Sequence, residues 1–410
     1  MAIGLTGGAV LDPLTRASDQ LNSLALLYAN PEFAKDWSLK GEVRYRDMEY
    51  SSGNGYWENI ASYAILKQEN SAERRLNLEL SASYGGIRNH ALQFGMGYAV
   101  QDLYAYEQVL DGVPKVIDNG SNYVFLPTGS ITATVVAPKM RKNHYFFLQD
   151  IWSISPNWEV TAGMRYDRYS DFGGTFNPRL ALVWQTTERL TTKLIYGEAF
   201  RAPSYLERYI TTAANPPNPV LMPEKSKTME LSVAYLPHRD LRLGMNIYNF
   251  KRKDVITPNP SQFQNYPEFV TDGIELEAQW QVSKDFRLAG NFSQMENEDI
   301  HSSLRDLSIP LKQAYLRADW AFLPKWHWNV QLNWFDARPL PAGDPRLPGQ
   351  SGAFTLANTT LRYIHDKQWE FAASIRNLFD TNAREYSSSS LYYNLPLPGR
   401  NLFAEVRYKF

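Results

Sequence analysis

Apolar residues recur at every second position along most of this chain, and the last ten residues show the pattern most plainly. Leu402, Ala404, Val406, Tyr408 and Phe410 form one row; Asn401, Glu405, Arg407 and Lys409 form the other, with Phe403 the exception. A two-residue period is the mark of a strand with one oily face and one wet face. A soluble domain seldom leaves a bare apolar strand at its terminus, because termini fray and open edges aggregate. A closed barrel in a membrane has a place for such a strand.

The same alternation runs through Trp37–Tyr45, Leu76–Tyr84, Leu92–Val100, Trp158–Tyr166, Met229–Tyr235, Leu241–Ile247, Ile274–Trp280, Trp326–Trp334 and Trp369–Ile375. Roughly 17 or 18 segments of about ten residues carry it, the length a tilted membrane strand needs. No amphipathic helix competes with them, and no stretch approaches the ~20 apolar residues of a spanning helix. Aromatics make up 14% of the 410 residues, with 25 Tyr and 11 Trp, the residue types that sit at membrane–water interfaces. The chain has no Cys, which excludes a disulfide scaffold, a thiolate metal site and a thiol nucleophile. A net charge of -1 gives no argument for nucleic acid. Residues 1–12 have no basic start and an apolar run broken by Gly and Thr, a poor secretory signal.

The connections separate a membrane barrel from a soluble sandwich. Short ones lie near Pro31–Asp36, Gly85–Asn89, Ser155–Pro156, Thr187–Arg189, Pro237–Asp240, Ser283–Lys284, Leu323–Lys325 and His365–Lys367. Long ones lie near Asp47–Arg74, Tyr106–Lys142, Ala202–Lys225, Arg252–Glu268, Glu296–Pro310, Ala337–Gly352 and Phe379–Gly399, with Tyr169–Thr175 a modest member of that set. Strict alternation of short and long connections is the rhythm of outer-membrane barrels, whose periplasmic turns are short and whose outer loops are long. The expected fold is therefore all-β, an antiparallel transmembrane β-barrel. Its C-terminal strand ends at the periplasmic face.

Five word-like motifs then occur in order. They are Tyr196-Gly-Glu-Ala-Phe-Arg-Ala-Pro-Ser204, Asn218-Pro-Val-Leu-Met-Pro-Glu-Lys-Ser226, Tyr248-Asn-Phe-Lys-Arg-Lys-Asp-Val-Ile256, Thr271-Asp-Gly-Ile-Glu-Leu-Glu277, and Ile375-Arg-Asn-Leu-Phe-Asp380 with the closing Pro398–Phe410. Together they resemble the barrel of TonB-dependent outer-membrane receptors, densely over residues 145–410. Each motif also has a local reading. Pro203 has no N–H and ends ladder pairing. Asn377 and Asp380 bond nearby backbone as a strand closes into a loop. Gly273 either lets a neighbour pass close or forms a bulge.

The resemblance implies a 22-stranded barrel occluded by an N-terminal plug, whose outer loops capture a metal chelate such as a ferric siderophore, haem or cobalamin. An inner-membrane TonB motor would pull on a short N-terminal box to open a path. Against that pattern residues 1–410 show no plug, no motor box and about four strands too few for ~22. The expectation is a partial barrel domain, 17–18 strands, that reaches the motor only through an absent N-terminal region. Implied partners are outer-membrane lipid, the chelate and the barrel-assembly machinery, which would read Phe410 as its signal; the chain is expected to be a monomer without a cofactor. The alternatives are a passive substrate-selective porin and a non-functional truncated receptor.

Catalysis is poorly supported. His90, His144, His238, His301, His327 and His365 are scattered, and no carboxylate–His set or metal-ligand spacing emerges. Glu296, Glu298 and Asp299 could bind a cation at an outer loop, as could Asp102, but a solvated acidic loop is the better reading. Ligand contacts are expected among Tyr104, Tyr106, Tyr123, Arg201, Tyr205, Arg208, Tyr209, Tyr266 and Arg338, which fall at or near external loops, because aromatics and Arg suit planar anionic chelates.

Overall fold

The computed structural model describes residues 16–53, 65–111, 115–116, 123–124, 131–211, 216–258, 262–299, 309–338, 352–385 and 395–410. Eighteen strands are assigned to one antiparallel sheet, and among the described residues the only helix is the single turn Tyr205–Tyr209. None of these residues forms a helix long and apolar enough to cross a membrane. Seventeen of the strands run from Arg16–Ala34 through to Asn401–Tyr408, and the eighteenth is the four-residue Ile131–Thr134. Two short ladders, Lys115–Val116 with Tyr123–Val124 and Arg384–Glu385 with Leu395–Pro396, lie outside the sheet.

The alternation in the sequence sets the register. Leu78 faces Tyr98, Leu80 faces Met96 and Ala82 faces Phe94 on one face, while Asn77 faces Ala99 and Glu79 faces Gly97 on the other. A slip of one residue would send every apolar side chain to the polar face, so one register is strongly preferred. At the short turns Asp36, Asn89 and Lys325 adopt positive φ of 63°, 66° and 71°, the left-handed conformation that tight reversals need.

Strand length is where the sequence reading falls short. The strands Ile65–Tyr84 and His90–Asp111 have 20 and 22 residues, twice the ~10 needed to cross. Their upper halves are polar and lose the alternation, yet they still exchange ladder bonds, because a backbone leaving the bilayer keeps its neighbour as partner. For the same reason the expected long connection Arg252–Glu268 shrinks: strands Leu241–Pro258 and Phe263–Ser283 enclose only residues 259–262. The long connection expected at Ala202–Lys225 holds the helix Tyr205–Tyr209. Gly273 forms no bulge against the following strand, where its register with Met295 is continuous; a Cβ there would overlap the Tyr248 ring that lies across it.

Chain contacts group into two compact units. The first comprises Met1–Leu180, Gly197–Lys227 and Arg252–Glu268. Among its described residues the buried apolar cluster is Leu103, Val135, Val136 and Tyr205, at the long-connection end. Further along the strands the Tyr145 ring covers Gly97, its hydroxyl donates to Glu79 at 2.8 Å, and Arg165 stacks over the ring at 4.1 Å. The second unit comprises Ala181–Tyr196, Thr228–Lys251 and Phe269–Phe410. Near its short turns Trp326 meets Tyr363 and Trp369 meets Tyr408, each at 4.7 Å between centroids. This is the belt expected where a strand leaves hydrocarbon for water. The terminal strand Asn401–Tyr408 pairs with Trp369–Arg376. Phe403, out of phase with its neighbours, sits under the Arg376 guanidinium at 4.5 Å. Glu370 on the polar face collects Lys409 at 2.6 Å and Arg362 at 3.1 Å.

Candidate functional site

The most elaborate local structure is the connection after Arg201, in the first unit. The strand Leu190–Arg201 ends two residues before Pro203, which cannot donate to a ladder. Ser204 then caps the helix Tyr205–Tyr209 through a reciprocal box: Glu207 N–H donates to Ser204 Oγ at 3.1 Å, and Ser204 N–H donates to the Glu207 carboxylate at 2.7 Å. One helical turn is not stable alone; tertiary ties hold this one. The Tyr205 ring fills the cluster with Leu103, Val135 and Val136 and its hydroxyl donates to Gln101 O at 2.8 Å. Thr211 N–H donates to Val135 O at 2.8 Å.

Two buried guanidiniums complete the attachment. Arg141, 4% exposed, donates to the Asp171 carboxylate at 2.7 and 2.9 Å and to Pro203 O at 2.9 Å, and its plane faces the Tyr205 ring at 4.9 Å. Arg208, 5% exposed, donates to Asp171 O at 2.7 Å, to Leu221 O, and to the Tyr209 hydroxyl at 3.2 Å. A buried cation is tolerated only when its donors are occupied, and here backbone carbonyls of three segments occupy them. Arg201 works from the strand end, bridging Glu207 at 2.9 Å and Glu224 at 2.7 Å, and Glu224 also accepts Ile256 N–H at 2.7 Å. Burial raises the Glu207 carboxyl, but the Arg201 guanidinium and the Ser204 N–H outweigh it, so the group sits below the usual carboxylate range. Burial pushes the Tyr205 phenol well up, and it stays protonated. At the far end of the connection, Asn218 donates to Phe263 O at 2.8 Å, while Met222 N–H donates to the Asn265 side chain at 2.9 Å.

Of the residues singled out by sequence, Arg201, Tyr205, Arg208 and Tyr209 come together here. Tyr205 and Arg208 are buried and hold the segment in place, whereas Arg201 stays 45% exposed although paired. The Tyr209 hydroxyl lies 3.3 Å from Asp171 and its ring lies under Lys139 at 5.1 Å. Tyr106 packs against the same cluster. Tyr266 is exposed, at the start of the strand Phe263–Ser283. Tyr104 points to the opposite face of its strand from Leu103, donates to Asp47 at 3.1 Å and lies under Arg74 at 4.3 Å. Tyr123 belongs to the two-residue ladder with Val116, and its side chain falls outside the described residues. In the second unit, Arg338 is buried and donates to Glu385 at 3.1 Å and Arg384 O at 3.3 Å. Phe410 is fully exposed, edge-on to Tyr408 at 5.0 Å. The described residues contain no group of three His, Asp or Glu placed to hold a metal; Glu296 and Glu298 are in the strand Phe286–Asp299 rather than in a loop, because that strand too outruns its alternating portion.

Sequence reading missed Arg141, Asp171, Glu207 and Glu224. For Glu207 a signal existed, since Ser204 followed three residues later by Glu is a capping-box spacing. Arg141 and Asp171 gave none: a cation on one strand and a carboxylate in a three-residue loop become partners only when the sheet forms.

The sequence matches the family described as TonB dependent receptor-like, beta-barrel, over residues 5–378. It is similar to the iron-regulated outer membrane virulence protein of Vibrio cholerae, with 24% identity over 58% of this chain and 41% of that protein. It is also similar to the vitamin B12 transporter BtuB of Vibrio cholerae, with 21% identity over 93% of this chain and 59% of the transporter. Among solved structures, the siderophore receptor PirA of Acinetobacter baumannii superposes with a TM-score of 0.73 at 16% identity, over 96% of this chain and 63% of that one. The chain thus spans about half the length of the curated relatives it matches.

Proposed function

The chain belongs to the TonB-dependent receptor family as its β-barrel domain, and on that footing we propose that it serves outer-membrane transport rather than catalysis and captures a metal chelate, a ferric siderophore foremost, at the long-connection end of its strands. The observation that carries this reading is the seated connection, residues 202–211 and 216–223. Its ties to Gln101, Val135, Asp171 and Asn265 hold the half-buried Tyr209 ring, and with it the exposed Arg201 that bridges to Glu207, in fixed positions before any ligand arrives, and a surface ordered in advance spends less of its binding energy on ordering. Tyr209, Tyr106, Tyr266 and Arg201 would meet the chelate. Tyr205 and Arg208 would act by holding the surface. Relatives named as an iron-regulated outer membrane protein, a vitamin B12 transporter and a siderophore receptor support a chelate as cargo, and the aromatic–Arg surface favours the planar anionic kind. Opening by the TonB motor would work through protein beyond the barrel, and Phe410 would be read by the assembly machinery.

The test is quenching of intrinsic fluorescence in the full natural protein, in detergent, by a ferric catecholate, a ferric hydroxamate and cyanocobalamin in turn. Saturable quenching by a ferric chelate, weakened about tenfold by Tyr209→Ala, is the expected result. Quenching by cyanocobalamin alone would overturn the siderophore reading. Absence of all three, together with steady ohmic conductance across a planar bilayer, would make it a passive pore.

A further inference from the structure

In the first unit the polar face matches cations with carboxylates: Arg44 with Glu42, Arg75 with Glu73, Arg141 with Asp171, and Arg165 with Asp167. Three basic residues on the apolar face lack that arrangement. Lys142 and His144 alternate along the strand Lys139–Ser155 with the buried Arg141, Asn143 and Tyr145, so both project to the other side. Arg168 lies directly across from His144 in the next strand. All three are exposed, and none makes an ion pair with a described carboxylate. Cross-strand neighbours sit about 5 Å apart and alternate residues about 7 Å apart, so the three cationic or donor groups can converge on one small anion.

What lies beside them identifies that anion's owner. One row further along the same face come Phe146 and Tyr166, in register and 5.8 Å apart, then Leu148 and Met164. Tyr98 packs on His144 at 4.7 Å. Tyr166 lies across Gly174, where a Cβ would overlap its hydroxyl. The carboxylate nearest in register on this face is Asp102, opposite Met140, one row beyond Lys142 and away from the apolar rows. Cations at the rim of an apolar band, with aromatics at the boundary, match a lipid that carries phosphate on its headgroup and acyl chains below it.

We propose that Lys142, His144 and Arg168 form a binding site for the phosphate of an anionic lipid of the outer membrane, with the acyl chains lying along Phe146, Tyr166, Leu148 and Met164. Lys142 and Arg168 supply charge and His144 a ring N–H. The site is on the face opposite the seated segment and does not depend on which chelate the protein captures.

The experiment is native mass spectrometry of the full natural protein in an uncharged maltoside detergent, titrated with diphosphoryl lipid A, with phosphatidylcholine, and with inorganic phosphate. One lipid A molecule should be retained per chain, phosphatidylcholine should not be, and inorganic phosphate should not displace it. Lys142→Gln with Arg168→Gln should weaken retention about 30-fold, while Lys142→Arg with Arg168→Lys should retain lipid like the natural protein and so separate loss of charge from loss of fold. Equal retention by the Gln pair, retention of phosphatidylcholine on a par with lipid A, or displacement by inorganic phosphate would each overturn the proposal.

Discussion

Replacing Arg208 by methionine removes three donors from a site that is 5% exposed and leaves a side chain of comparable length. Leu221 O and Asp171 O then lose the guanidinium that satisfies them. Hydrogen bonds to a charged donor contribute about 1.5–3 kcal/mol each, so the two carbonyls lose about 3–6 kcal/mol. The apolar methionine stem returns about 1–2 kcal/mol of burial. The net cost, about 2–4 kcal/mol, falls on the attachment of segment 202–223 and not on the strands beneath, whose ladders Arg208 does not touch. Local opening free energies are read by amide hydrogen exchange. At 1.4 kcal/mol per tenfold, peptides covering 205–211 and 218–223 should exchange about 30- to 1000-fold faster. The strand Trp158–Tyr169 should be unchanged. Exchange within about threefold of the parent in the segment would show that Arg208 does not hold it; equal acceleration in segment and strands would show that the segment and the sheet open as one unit. Either result refutes the reasoning.

Asp171→Asn should be more severe still, because it strands Arg141 as a buried charge, at about 3–5 kcal/mol; chemical denaturation monitored by tyrosine fluorescence should show a separate early transition. The Glu207 carboxyl, held below its ordinary 4.5 chiefly by Arg201 against the push of burial, stabilises the segment fully above that value and loses its contribution as the pH falls through the lower folded value. Limited proteolysis in 202–223 should therefore rise only on the acid side of 4.5, and Glu207→Gln should abolish that dependence; an unchanged dependence in the variant would assign it elsewhere. Gly97→Val should collide with the Tyr145 ring and cost about 1–3 kcal/mol, seen as a lower temperature for the heat-induced gel shift of the barrel, while Gly97→Val with Tyr145→Ala should recover part of it.

The alternation at Leu76–Tyr84 and Leu92–Val100 was enough to place both strands and their faces, because in a sheet with one buried face the side-chain period and the register are the same information. It was not enough to find where they end. Glu69, Asn70 and Ser71 pair with Gln108, Glu107 and Tyr106, and nothing apolar marks those rows, since both faces there meet water or loops. The sequence signal comes from the hydrocarbon, and the ladder continues without it. Hence the connections looked long at Arg252–Glu268, where the chain is strand on both sides of residues 259–262. Asn377 and Asp380 are legible for the opposite reason. Their side chains bond backbone only a few residues or one loop away: Asn377 accepts Thr381 N–H at 2.9 Å and Asp380 accepts Arg400 N–H at 2.8 Å. Local chemistry of that kind is written in local sequence.

The site divides along the same line. Arg201, Tyr205, Arg208 and Tyr209 could be named together because they crowd one short segment, and the capping pair Ser204–Glu207 sits inside it. Which of them is buried could not be read, since that depends on Arg141 and Asp171, more than thirty residues away. The consequence reaches function. If buried Arg208 and Tyr205 set the position of the segment while Tyr209 and Arg201 meet the ligand, truncating each class should change binding differently. Tyr209→Ala should raise the dissociation rate and speed the exchange of 205–211 far less than Arg208→Met does. Arg208→Met should slow association, because the binding-competent arrangement becomes a fraction of the population and the apparent affinity falls by that fraction. Stopped-flow quenching resolves the two rates, and a slower association for Tyr209→Ala with an unchanged one for Arg208→Met would reverse the assignment of roles.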